Sequence, residues 1–181
     1  MRRIKKEIKD KAIIIELLNT CPVGRLGTTG RDGYPRIKPL NFVYYDGKIY
    51  FHTAKEGEKI EDIQRDDRVC FEVDLPIAFL RAREHPCQAE YLYRSVIIRG
   101  RARIIEEQNE KLFALKRLLE KYQPDGGYGD FPAANLAKTG VVRIDIEEMT
   151  GKEDLGDGQI REAALQALAS QAALPITIDR Q

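Results

Sequence analysis

Apolar positions along the chain alternate in some stretches and recur every three or four residues in others, and the two periods predict strands and helices respectively. EIKDKAIIIELLNT (7–20) sets Ile8, Ala12, Ile15 and Leu18 near helical spacing. Pro22 closes that helix, because the residue before a proline is driven out of the helical region. VGRLGT (23–28) is a short strand followed by a turn at 29–33. RIKPLNFVYY (36–45) and KIYFHT (48–53) flank Asp46-Gly47, a dipeptide suited to the positive φ angles of a two-residue hairpin. Residues 56–67 carry Ile60 and Ile63 on one helical face, and VCFEVD (69–74) lines Val69, Phe71 and Val73 along one face of a strand. Residues 75–90 hold Pro76 and Pro86, have no clean period, and are expected to form a long connection. SVIIRGRARII (95–105) reads as a strand bent at Gly100. Residues 106–122 are the clearest helix, with Leu112, Leu115, Leu119 and Tyr122 at helical spacing, and the glycine-rich loop PDGGYGDFP ends it. A last strand alternates over 141–149, and beyond Gly151 a tail carries one amphipathic helix at 157–171 before Pro175.

Some six short strands with hairpin signals and few helices predict a mainly β fold, a small antiparallel barrel with helices packed outside. Strand and helix do not alternate regularly enough for a doubly wound sheet. Composition adds three constraints. With 43% hydrophobic and 33% charged residues in 181, the chain can build one core and stay in solution. Its 30 basic and 29 acidic residues leave a charge of +1, so no net positive field favours a nucleic-acid partner. The best apolar run, AIIIELL at 12–18, contains Glu16 and is far too short to span a bilayer, so no membrane partner is expected. Cys21, Cys70 and Cys87 are odd in number and widely spaced, which fits reduced thiols and a cytoplasmic location.

Most of the conspicuous motifs have ordinary explanations. GRLGTTGRDG lacks the lysine-serine/threonine ending of a nucleoside-triphosphate loop and the GxGxxG order of a dinucleotide site, so it reads as a strand and a glycine turn. His85-Pro86-Cys87 has no second Cys/His pair to complete a zinc site, and no metal is expected. Cys21 and Cys70 adjoin predicted strands and read as small buried hydrophobes. Glu147 and Glu148 are neighbours on a strand and point to opposite faces, which argues against joint acid/base work. IYFHTAKEGEKI (49–60) is different. A strand delivers Thr53, the chain turns at Gly57, and a helix starts there with free backbone amides that favour an anion. Lys55 and Lys59 add positive charge, which makes a phosphate site or an ordinary basic helix start.

Taken together, PRIKPLNFVYYDGKIYFHTAKEGEKIEDIQRDDRVCFEVD (35–74) resembles the pyridoxamine 5′-phosphate oxidase-like, FMN-binding split-barrel family, nearest its 5-nitroimidazole resistance branch. CPVGRLGT before it, YRSVIIRGRARII after it and VVRIDIEEMTGK near the end extend the similarity over residues 1–152 and leave the tail, 153–181, outside. The resemblance implies a six-stranded antiparallel split β-barrel with flanking helices that forms a homodimer, with FMN at the subunit interface. It implies that Arg36, Ile37, Lys38, Pro39, Leu40 and Asn41 run along the flavin ring, and that His52 and Thr53 lie near the flavin and its phosphate arm. Lys59 matches the residue that pairs with the FMN phosphate, with Lys55 a further candidate by position; Glu58 replaces an arginine common in the oxidases. Ser95 matches a polar residue that reaches the flavin from the second subunit, and Leu40 and Phe42 would supply apolar walls.

The expected activity is an FMN-dependent reduction of a small molecule such as a nitroaromatic or quinone-like acceptor, with His52 as candidate proton donor or as a structural histidine lining the pocket. Alternatives are a flavin store or sensor without turnover, or the same barrel holding a deazaflavin or haem. Oxidation of pyridoxamine phosphate is disfavoured, because the chain has no tryptophan and its end, ALPITIDRQ, lacks the segment that holds the substrate in those oxidases.

Overall fold

The structure, a computed structural model, describes residues 4–170 and 174–178. Its strands are β1 (Glu7–Ile8), β2 (Gly24–Thr29), β3 (Pro35–Leu40), β4 (Val43–Tyr45), β5 (Lys48–Ala54), β6 (Arg68–Leu80), β7 (Glu90–Ile104), β8 (Thr139–Asp154) and β9 (Ile176–Ile178). The helices are α1 (Lys11–Thr20), α2 (Glu58–Arg65), α3 (Gln108–Tyr122), α4 (Ala133–Lys138) and α5 (Gly158–Ala169). The strands follow the order β3-β2-β6-β7-β8-β5-β4, with β1 paired to β8 and β9 paired to β6. The registers of β1, β2, β3, β4 and β5 with their partners are antiparallel; β9 on β6 is parallel.

The chain forms two compact units. The first holds Met1–Leu17, Asp74–Val96 and Thr150–Gln181; the second holds Leu18–Val73 and Ile97–Met149. In the first, Ile77, Ala78, Leu92, Leu155 and Ala164 make a buried cluster against which Ile160, Leu168, Ile176 and Ile178 pack. In the second, Val43, Tyr50, Ile105, Val141 and the α3 residues Ala114, Leu115 and Leu118 make another. Every candidate site residue except Ser95 belongs to the second unit.

Several boundaries differ from the sequence expectation, each for a local reason. The first helix begins at Lys11 rather than at 7, because Asp10 accepts a hydrogen bond from Ala12 N–H (2.8 Å) at its start, while Glu7 and Ile8 pair with β8. The expected strand 36–45 is two strands. Asn41 and Phe42 interrupt it, and the Phe42 backbone is satisfied by the Tyr122 hydroxyl, which accepts from Phe42 N–H at 3.0 Å. Residues 75–80 are strand, not connection: Ile77, Ala78 and Leu80 are fully buried, and 78–80 pair with β9, so tertiary burial overrides the irregular sequence around Pro76. β7 and β8 likewise extend beyond the predicted 95–105 and 141–149. α4 and β9 were not expected, and the tail helix covers Gly158–Ala169; residue 171 lies outside the described residues. Cys70 is exposed rather than buried. The hairpin at Asp46 (φ 47°) and Gly47 (φ 72°) matches the expectation.

Candidate functional site

β3 presents Arg36, Lys38 and Leu40, half-buried, on one face and Pro35, Ile37 and Pro39, exposed, on the other, as strand alternation requires. α2 supplies the acidic counterpart. Gly57 (φ 117°) turns the chain into it, with open space where a side chain would stand and no side chain capping the helix start. Ile60 and Ile63 anchor the helix in the core, and Asp62 goes in with them, only 1% exposed. The Asp62 carboxylate accepts from Thr28 Oγ1 at 3.0 Å and Arg65 Nη2 at 2.9 Å, and Lys38 Nζ stands 3.6 Å away. Burial by itself pushes this carboxyl up, but those hydrogen bonds and the charges of Lys38 and Arg36 outweigh it and hold the group below the usual carboxylate value. One turn earlier, Glu58 is ion-paired with both Arg36 and Lys38, the latter at 3.0 Å.

Lys59 Nζ donates to Thr53 Oγ1 at 3.3 Å and lies 5.3 Å from the centre of the Phe51 ring. Burial, and then the nearby charge of Lys38, lower its ammonium pKa. Lys38 Nζ is buried within ion-pair distance of Glu58, but at an angle too poor for a hydrogen bond, so its donors are unspent. Lysine donors, a threonine hydroxyl and an uncapped helix start are the chemistry that a phosphate group takes, so these residues fit the anionic arm of a phosphorylated ligand.

On β5, the residue next to Thr53 faces different surroundings. His52 and Asn41 line an open cavity of about 410 Å³, walled by Leu115, Leu118, Leu119 and Tyr122 of α3 and bordered by Phe131 and by Leu136 of α4. Asn135 and Thr139 add two further polar groups, and the lining contains neither lysine nor arginine. That size and balance, apolar walls with a few polar groups, suit a small organic molecule. Tyr122 donates to Pro22 O at 2.7 Å, which ties the end of α3 to the loop before β2.

The structure therefore gathers the sequence-predicted residues in two groups, Arg36, Lys38, Thr53 and Lys59 in one and Asn41 and His52 in the other. Ile37 and Pro39 point outward from β3, and Leu40 shares the face of Arg36 and Lys38. Lys55 lines a separate recess of about 250 Å³ with Glu106, Gln108 and Lys111. Ser95 lies half-buried on β7 in the first unit. Phe42, expected to wall the flavin, is fully buried and packs edge-on against Phe71 with ring centres 4.9 Å apart. Sequence reasoning missed Asp62 and the α4 side of the cavity. Its α3 side was visible as the helical face of Leu115, Leu119 and Tyr122.

The family model described as pyridoxamine 5′-phosphate oxidase matches residues 10–153. The chain belongs to that family. Among solved structures, this family member is similar to a candidate 5-nitroimidazole antibiotic resistance protein from Bacteroides thetaiotaomicron, at 27% identity and a TM-score of 0.72, over 81% of this chain and 86% of that one. It is also similar to the flavocytochrome Anf3 from Azotobacter vinelandii (22% identity, TM-score 0.76, 90% and 77% of the two chains). A third is the FAD and haem binding protein from Mycobacterium smegmatis (18%, 0.75, 93% and 81%). No curated protein matches the sequence. The fold is the antiparallel split barrel with flanking helices expected for the pyridoxamine 5′-phosphate oxidase family, with nine strands among the described residues in place of six. No helix among those residues is long and apolar enough to cross a membrane.

Proposed function

We propose that the chain is an FMN-dependent oxidoreductase that reduces a small apolar acceptor, nitroaromatic or quinone-like. One observation carries the reading: Thr53, Lys59 and the Lys38 ammonium, which has no hydrogen-bond partner, stand at the uncapped start of α2, a donor set suited to the phosphate of a flavin, while an apolar cavity suited to an acceptor lies on the His52 side of β5. When FMN is bound, Thr53, Lys59 and Lys38 would hold its phosphate, and Leu40 and Asn41 would border its ring. The flavin, when bound, supplies the electron chemistry. The leucines of α3 exclude water from the cavity and select an uncharged acceptor, while His52 and Asn41 offer hydrogen bonds, and His52 a proton, to its polar end. A cavity without lysine or arginine suits phosphorylated pyridoxamine poorly, which supports an acceptor other than the one that gives the family its name.

The active unit is a homodimer. β3 stands at the end of the strand order, and Tyr34 and Ile37 beside it are 73% and 70% exposed, an apolar edge suited to a second copy. Ser95 of that copy completes the flavin site. The 27% identity to the candidate nitroimidazole resistance protein supports the acceptor class, and the flavocytochrome and the FAD and haem binding protein support a flavin cofactor.

The test is the purified protein. It should be yellow, release FMN to mass spectrometry, and lose its colour with dithionite and with a nicotinamide donor. Colourless protein that takes up no FMN on titration overturns the reading. Release of a deazaflavin, FAD or haem replaces the cofactor assignment, and stoichiometric FMN without turnover of any acceptor reduces the protein to a flavin store or sensor.

A further inference from the structure

We infer that Glu58 is a built-in competitor for the phosphate group of the ligand and thereby sets how strongly this site discriminates phosphorylated from unphosphorylated flavin. The inference rests on the phosphate reading of the Thr53–Lys59 cluster. Two carboxylates face the cations of β3 from α2, and their surroundings separate their roles. Asp62 is buried, holds hydrogen bonds from Thr28 and Arg65, and lies beneath Lys38 as part of the core. The Glu58 side chain is 53% exposed, and its two oxygens contact Arg36 and Lys38, the engagement that two oxygens of a phosphomonoester would make. Nothing buries Glu58 in that position, so its carboxylate can swing into solvent and leave both cations to an incoming anion.

Charge decides the consequence. Arg36, Lys38, Lys59 and Arg65 stand against Glu58, Asp62 and Asp32, a net single positive charge, whereas a phosphomonoester carries about −1.5 to −2. The phosphate must therefore displace Glu58 or bind beside a like charge. A neutral ring system without phosphate meets neither obstacle. Glu58→Gln keeps the shape, removes the competing charge, and leaves two net positive charges for the phosphate.

FMN and riboflavin, which share the ring and differ in the phosphate, are titrated onto wild type and Glu58→Gln by quenching of flavin fluorescence, with thermal unfolding as a check on the fold. The expected result is FMN binding about tenfold tighter in the variant with riboflavin unchanged. FMN affinity that stays level or falls while riboflavin stays constant overturns the inference. If wild type binds neither flavin, the flavin reading itself fails. Calorimetric titration of inorganic phosphate onto both proteins then decides the role of Glu58 alone, tighter binding by the variant supporting it and equal or weaker binding overturning it. Glu58→Ala carries the same expectations if the glutamine variant does not fold.

Discussion

The basic cluster between β3 and α2 and the cavity beside α3 are reached from adjacent residues of one strand, Thr53 and His52, yet they are built on opposite plans. In the cluster most of the charge is already engaged: Glu58 and Asp62 stand against Arg36 and Lys38, while Lys59 has only the neutral Thr53 hydroxyl as a hydrogen-bond partner. The cavity instead leaves apolar surface of Leu119, Tyr122 and Phe131 unmatched, with His52 and Asn41 at its wall. A ligand enters the first by exchange, displacing an ion pair already made, and the second by covering surface that water wets poorly. Electrostatic exchange confers selectivity more than raw affinity, whereas burial of apolar surface does the reverse.

The largest effect is expected from breaking the cluster beneath its surface. Asp62→Ala leaves Lys38 and Arg65 without their buried partner and should lower stability by about 3 kcal/mol, read by urea unfolding. Because the folded state holds the Asp62 carboxyl below its ordinary value, this contribution is fully present above the unfolded pKa and is lost as pH falls through the folded one. The gap between wild type and Asp62→Asn should therefore close at acid pH and stay constant near neutrality. Lys59→Glu comes next, replacing a charge-assisted bond by repulsion. FMN affinity should fall by about 2–3 kcal/mol, with riboflavin far less affected, and equal losses for both would remove Lys59 from the phosphate site. The smallest effect sharpens the other side of the comparison. Leu119→Trp fills the cavity without touching the cluster, and the KM for a nitroaromatic acceptor should rise about tenfold with the FMN affinity unchanged.

Sequence pattern located the cluster better than the cavity, and the reason is range. Thr53 and Lys59 are six residues apart around one glycine turn, so local geometry brings them together. Arg36 and Lys38, expected along the flavin ring, instead meet Glu58 and Asp62, contacts that only the packing of α2 beside β3 makes. Asp62 was invisible because a carboxylate on a charged helix normally faces water; its burial depends on Thr28 and Lys38, which arrive from other strands. The cavity needed α4, a six-residue helix without a readable period that brings Asn135 and Leu136 over α3. Residues 75–80 failed for the same kind of reason, since pairing with β9 and burial of Ile77 and Leu80 outweigh the irregular local pattern.

By itself, then, the sequence determined the class of fold, the hairpin at Asp46-Gly47, the α3 apolar face and the turn that joins Thr53 to Lys59, all of which depend on contacts within a few residues. Tertiary structure alone decided that Glu58 and Asp62, one turn apart on the same helix, have different fates. One oxygen-bearing side chain lies where buried donors converge on it and the other where solvent still reaches it, and that difference belongs to the strands packed against α2 rather than to any spacing along the chain.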